Sequence, residues 1–259
     1  MDVITGEIFH IDKPLGWTSF DAVKRLRAEL LRKAGGSLRK LKVGHAGTLD
    51  PLATGVMIIV TGRKTKLIEQ LQSGVKEYVA TLRLGATTPS FDLEKEIDAT
   101  YPTAHIDRQL IDSVLPQFRG TILQRPPVYS AVKIEGRRAY DIARAGEEID
   151  LKPKTLVIDE LEVVSFSPET MDLTLRIVCS KGTYIRALAR DIGEALGSGA
   201  HLTALRRTRV GDVTVDKCQT IENAVEAIRQ ATLTYPDDFT PARSRRHRLS
   251  DNNTTSTES

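Results

Sequence analysis

An aspartate followed by proline, set in a glycine-rich loop just ahead of an apolar run, is where this sequence most plainly offers chemistry. The segment reads Gly44-His45-Ala46-Gly47-Thr48-Leu49-Asp50-Pro51-Leu52-Ala53-Thr54-Gly55. Its glycines permit tight or left-handed backbone and let a ligand approach closely. Pro51 biases Asp50 toward extended geometry. The run Val56-Met57-Ile58-Ile59-Val60 behind it reads as a central strand buried on both faces, which would anchor a reactive carboxylate. Such a carboxylate can act as a nucleophile when ionised. Asp-Pro also opens ordinary turns in which the side chain bonds nearby amides, and the loop alone does not separate the two readings.

A second constellation is Ser180-Lys181-Gly182-Thr183-Tyr184-Ile185-Arg186. It shares Lys-Gly-Thr with phosphate loops but lacks the full GxxxxGK[ST] pattern, so ATP or GTP hydrolysis is not expected. Arg186 is a fixed cation that can either pair with a buried carboxylate or lie on a helix surface. The histidines (His10, His45, His105, His201, His247) are scattered and form no HExxH or similar metal spacing. No dinucleotide fingerprint is present. The expectation is a reaction run by side chains alone, a hydrolysis, isomerisation or transfer, with no metal and no cofactor.

The elements that must position these residues follow from periodicity and punctuation. Glu7–Ile11 reads as a short strand, broken by Pro14 and Gly16. Thr18 to Asp21 resembles a capping box, and Phe20, Val23, Leu26 and Leu30 give a helical stripe that ends at Gly35-Gly36. Tyr78, Ala80, Leu82 and Leu84 share one side of a strand. Residues 85–105 are polar, acidic and turn-rich, and Asp107–Leu115 reads as a short helix. Gln124-Arg125-Pro126-Pro127 marks a boundary. Strands are expected over Val128–Ile134, Thr155–Phe166 and Asp172–Cys179, and helices over Arg138–Ala145, Ile185–Leu196 and Ile221–Leu233. Strands and helices interleave irregularly with several β-β steps, which predicts an α+β fold with a mixed, largely antiparallel sheet.

Composition bounds the rest. The 259 residues carry a formal charge of +3, and 40% are hydrophobic, as in an ordinary globule with a sizeable core. Charge is segregated: Lys24–Lys42 is net +7, Lys181–Arg209 net +4 and Asp92–Asp112 net −4. One basic face suits a polyanion, although charge runs are also ordinary solvated helix faces. Cys179 and Cys218 stand apart without a CxxC, which excludes a disulfide scaffold or a cysteine-rich zinc module and suits a reducing cytosol. The apolar runs fall far short of a membrane span, and no secretory signal is read at the N-terminus.

Taken together, the motifs are recognisable. The loop containing Asp50 closely resembles the catalytic motif of the TruB family of tRNA pseudouridine synthases. Asp12-Lys13-Pro14 with Gly16 and Ser19 resembles the family's N-terminal motif, and Lys76-Glu77-Tyr78 followed by Leu84-Gly85 its tyrosine strand. Tyr129-Ser130-Ala131-Val132-Lys133 with Gly136, Tyr140 and Ala143-Arg144 resembles its RNA-gripping insertion. Cys179 to Arg186 and Gly199-Ala200-His201 to Arg207 resemble its last core motifs. The order and spacing hold from about Ile8 to Gly211.

The resemblance implies a pseudouridine synthase core over residues 1–240, with an insertion at about 125–153 and a basic, polar, disordered tail over 241–259. It implies an isomerase acting on the uridine at position 55 in the T-arm of tRNA, working in the cytoplasm as a monomer, without cofactor, guide RNA or membrane. Asp50 would be the nucleophile on a flipped-out uridine, and Arg186 its counter-charge. Tyr78 would stack on the target base and is a candidate to take a ribose proton. Tyr184 and Leu205 would line the pocket, His45 would hold the opened T-loop, and Lys13 matches a motif lysine of structural character. The sequence departs from the family in two places. The 19 residues after Thr240 are too few for the PUA domain that many members carry. The acidic loop reads Thr87-Thr88-Pro89-Ser90-Phe91-Asp92, with Asp92 in the place of the family's acidic residue.

Overall fold

The computed structural model describes residues 1–130, 133–134, 137–138, 142 and 151–241. Its main sheet runs β1 (Ile8–Lys13), β3 (Ala53–Thr61), β12 (Ala200–Val210), β4 (Lys76–Leu84), β11 (Asp172–Cys179), β10 (Lys154–Ser167) and β7 (Gly120–Gln124). β2 (Val43–His45) adds to β3, and β13 (Val213–Thr214) to β12. Two short hairpins lie outside it, β5 (Ala86–Thr87) with β6 (Ala99–Thr100) and β8 (Lys133–Ile134) with β9 (Arg137–Arg138). Among the described residues every pairing in the main sheet is antiparallel except β3 with β12. The fold is α+β with a mixed, largely antiparallel sheet, as the sequence predicts.

The helices are α1 (Ser19–Lys33), α2 (Ile68–Ser73), α3 (Arg108–Val114), α4 (Ile185–Ala195) and α5 (Ile221–Gln230). With the sheet they form three apolar clusters among the described residues, the two larger of which face α1, α4 and α5. Leu82, Leu175 and Ile177 pack with Leu188 and Ile192 of α4. Ile11, Met57 and Ile59 pack with Leu26 and Leu30 of α1 and Ile228 of α5. β3 is buried almost throughout, as its unbroken apolar run requires, and β4 alternates buried and half-buried residues along its length.

α1 begins where the sequence predicts. Thr18 caps the Asp21 N–H, and Asp21 returns the bond to the Thr18 backbone. Its buried face, however, runs through Ser19, Ala22, Val23, Leu26 and Leu30 and leaves Phe20 63% exposed. Phe20 follows buried Ser19 by one residue, about 100° around the helix, at the edge of that face. The segment Val128–Ser130 bends instead of forming a strand, and α5 stops at Gln230. The helix expected over Arg138–Ala145 and the tail expected after Thr240 lie largely outside the described residues; Arg138 itself is paired in β9.

The longest strand that sequence periodicity does not reveal is β12, inside the sheet between β3 and β4. Two bulges, at Leu202/Ala204 and Arg207/Arg209, break its register with β4, and buried His201 and Arg207 occupy positions where an apolar residue would signal a core strand. Its approach to β3 depends on Gly55, which has φ 103° and faces Arg207. A Cβ at Gly55 would lie 2.1 Å from the Arg207 carbonyl oxygen.

Candidate active site

Asp50 sits on the short connection between β2 and β3, and every carbonyl from Gly47 to Pro51 has a protein donor. Arg207 donates through Nη2 to Gly47 (3.1 Å) and through Nη1 to Thr48 (3.4 Å), while its Nε reaches Val56 on β3 (2.7 Å). Ser19 Oγ donates to the Leu49 carbonyl (3.0 Å) and accepts from the Leu49 N–H (2.8 Å). The Ala53 N–H donates to Asp50 (3.0 Å), and the Gly16 N–H to Pro51 (2.9 Å). Lys13 Nζ donates to Pro14 (2.9 Å), Trp17 (2.6 Å) and, at 3.5 Å, Pro51. The loop is thus fixed from β12, from the start of α1 and from the turn after β1, and the Asp50 side chain is left to project 39% exposed.

The counter-charge comes from far along the chain. Tyr184 precedes α4 and is gripped by Gln124, whose Oε1 accepts from the Tyr184 N–H (2.9 Å) and whose Nε2 donates to its carbonyl (3.2 Å). This places Arg186 in the first turn of α4, 6% exposed, with its Nε 2.9 Å from Asp50 Oδ2. Nη1 donates to the Ser90 carbonyl (3.1 Å) and Nη2 to that of Tyr129 (3.0 Å). A second carboxylate, buried Asp92, lies 3.6 Å from the same Nε. All three arms of the fork are engaged, which fixes the guanidinium plane against Asp50.

A shallow cleft opens at this pair. Asp50, Asp92 and Arg186 form its polar end, and Leu52, Leu93, Leu202 and Leu205 give it apolar walls. That division suits a flat base against the apolar part and a sugar at the carboxylate. Tyr78 and Tyr184 both feel the Asp50 charge. Burial pushes the Tyr78 phenol up, with nearby Arg207 working in the opposite direction. Burial likewise pushes Tyr184 up. Both are therefore neutral phenols at neutral pH. Lys13, fully buried, is brought down to about 8 by desolvation, against the pull of Asp50.

Of the residues the sequence singles out, Asp50, Arg186 and Leu205 share the cleft, and Tyr78, Tyr184 and Lys13 lie within electrostatic reach of Asp50. His45 is placed differently, at the far end of the loop on β2. Its Nδ1 is buried without a partner, and burial and Arg207 lower its basicity, so it is neutral near pH 7. The supports Arg207 and Gln124 appear in the sequence only as the end of a motif and the start of a boundary, and their role emerges from the main-chain groups they reach. Among the described residues no group of three His, Cys, Asp or Glu side chains could hold a metal ion.

This geometry can be set beside known proteins. Residues 35–185 match the TruB family pseudouridylate synthase N-terminal domain, and residues 186–238 the tRNA pseudouridylate synthase B C-terminal domain. The chain belongs to the TruB family of pseudouridylate synthases. It is accordingly an isomerase. It is 62% identical to the tRNA pseudouridine synthase B of Parabacteroides distasonis, over 92% of this chain and 100% of that one. With the protein of the same name from Phocaeicola vulgatus it shares 61% identity, over 90% of this chain and 97% of the other. Among solved structures it resembles a chain of a Cbf5–Nop10–Gar1 complex, with a TM-score of 0.64 and 30% identity over 87% of this chain. It covers 55% of that chain, about half its length. The two matched TruB regions meet between Ile185 and Arg186, so the Asp50–Arg186 contact joins them, and β12 of the second lies between β3 and β4 of the first. No described helix is long and apolar enough to cross a membrane.

Proposed function

We propose that this TruB-family enzyme isomerises the uridine at position 55, in the T-arm of tRNA, to pseudouridine, with Asp50 as the nucleophile. The relatives matched over nearly their whole length are named tRNA pseudouridine synthase B, which supports tRNA as the substrate. The observation that carries the mechanism is the 2.9 Å contact between the Asp50 carboxylate and Arg186 at the mouth of a cleft with apolar walls.

The uridine leaves its stack to enter the cleft, at a cost of a few kcal/mol that is smaller for a loop than for a duplex. Arg186 aims the Asp50 side chain. The carboxylate meets C1′ as the C1′–N1 bond breaks, and the freed base turns. C1′ then bonds to C5 as the bond between C1′ and the Asp50 oxygen breaks and restores the carboxylate; the C5 hydrogen leaves to solvent and N1 gains a proton. Substrate and product are isomers, so the balance needs no redox partner and no energy source. Tyr78 serves as a stacking ring and a hydroxyl donor. Its raised acidity range argues against the phenolate base that would take a ribose proton. Tyr184 and Leu205 bound the pocket, Lys13 secures the loop, and His45 contacts the opened T-loop.

We further read residues 1–240 as one catalytic domain that acts as a cytoplasmic monomer without guide RNA. The strand exchange through β12 supports the single domain. The end-to-end likeness to the tRNA enzymes, against half the length of the Cbf5 chain, supports the guide-free reading. The test uses a T-arm stem–loop tritiated at uridine C5, with no metal and no guide. Tritium release that disappears when position 55 alone is cytidine is the expected result. Release that is unchanged by that replacement would overturn the position, and no release from either RNA would overturn the substrate.

A further inference from the structure

The outward face of α1 is left unexplained by the cleft. Phe20 and the preceding Leu15 are each 63% exposed, an unusual placement for large apolar side chains on one short segment. Lys24 stands over the Phe20 ring with Nζ 5.6 Å from its centroid. Phe20, Lys24 and Arg27 follow at steps of four and three, so they share a face about 10 Å long. Beside it an open groove is lined by Gly16, Trp17, Asp21, Lys24 and Arg25.

Both acids of this helix are engaged within the fold. Asp21 closes the capping box with Thr18. Buried Glu29 is taken by Arg25, Arg32 and Arg229. Lys24 and Arg27 are the exposed cations that remain beside the ring. Asp21 still bears electrostatically on Lys24; an exposed aromatic beside two cations is nonetheless complementary to a nucleotide, its base on the ring and its phosphate on the cations.

The face is also rigidly tied to the catalytic loop. Ser19, adjacent to Phe20, exchanges two hydrogen bonds with Leu49, and Gly16 and Lys13 both donate to Pro51. The residues on either side of Asp50 are therefore held by the same segment that presents Leu15 and Phe20.

We infer that the N-terminal half of α1 is a second RNA contact: an unpaired nucleotide of the substrate, outside the cleft, stacks on Phe20 with its phosphate on Lys24 and Arg27. This rests on the RNA-isomerase reading above and assigns a further subsite to it. The contact adds affinity and register and takes no part in bond breaking. The nucleotide belongs either to the same T-loop or to another unpaired segment of the folded tRNA, and the two sources are separable by substrate.

The experiment measures Kd by fluorescence anisotropy, and KM and kcat by tritium release, on an isolated T-arm stem–loop and on a whole tRNA transcript. Phe20→Ala should raise Kd and KM about tenfold with kcat unchanged, and Phe20→Trp should restore both. Lys24→Gln combined with Arg27→Gln should reduce the slope of log Kd against log salt by about one to two. An effect on both RNAs places the nucleotide in the T-loop, and an effect on the whole transcript alone places it elsewhere in the tRNA. Kd and KM of Phe20→Ala within twofold of wild type on both RNAs would overturn the inference. So would a change confined to self-association, which would mark the face as a protein contact. Because Kd is read separately, absent tritium release by wild type would count against the isomerase reading without deciding this one.

Discussion

At the residue scale the enzyme rests on one guanidinium with three fixed arms. Arg186 meets Asp50 through Nε and holds its own position through the Ser90 and Tyr129 carbonyls. A lysine offers a point charge in place of that planar fork. Arg186→Lys is therefore expected to lower kcat about a hundredfold, roughly 2.7 kcal/mol of barrier, while KM changes little. Steady-state tritium release checks this, and a variant with wild-type kcat would show that the fork is dispensable. Asp50 and Arg186 were legible in the sequence through their motifs, and the resemblance already paired them as nucleophile and counter-charge; the residues that bring them together were not. The two are separated by most of the sheet in chain order, and only the Gln124 grip on Tyr184 and the placement of α4 bring the arginine to the loop. Arg207 illustrates the other limit: its importance lies in three carbonyl oxygens, and a carbonyl is common to all residue types.

At the scale of elements, the parallel pairing of β3 with β12 is the joint on which the catalytic loop turns. β3 was legible as a continuous apolar run and β4 as strict alternation, because burial on two faces or on one imposes those patterns directly. β12 was not, because its bulges shift the alternation and its buried polar residues serve the site and the neighbouring loop. The same joint makes a sharp prediction. Gly55→Ala would force a Cβ to within 2.1 Å of the Arg207 carbonyl oxygen at a backbone φ of 103°. The strands must separate, and the arginine that holds Gly47 and Thr48 moves with them. The expected cost is about 3–5 kcal/mol, read by urea denaturation, together with loss of activity. A variant within about 0.5 kcal/mol of wild type would mean that β3 and β12 do not constrain each other as described.

Across the whole molecule, buried titratable groups shape stability against pH. Burial lowers Lys13 and Lys76 to about 8 from an unfolded value of 10.5. It raises Cys179 and Cys218 to about 11 from 9.0. Above pH 8 the folded lysines release protons that the unfolded chain still holds, so stability rises with pH. Above pH 9 the unfolded thiols release protons that the folded ones retain, which opposes the lysine rise and ends it. Urea denaturation should therefore give a rise from pH 8 that levels off to a maximum between about pH 9 and 10, and Lys76→Met should flatten that rise. A monotonic fall from pH 8 upward would contradict this placement of the two lysines.

The central claim is that an ionised Asp50 reacts with the sugar of an extruded uridine. A single-turnover comparison of wild type with Asp50→Asn, on a T-arm stem–loop tritiated at uridine C5, tests it most directly. The amide keeps the size and hydrogen-bonding capacity of the side chain but removes its negative charge. The account predicts tritium release by wild type, release at background by Asp50→Asn, and RNA affinity within a few-fold for both. Release by Asp50→Asn at the wild-type rate would contradict it.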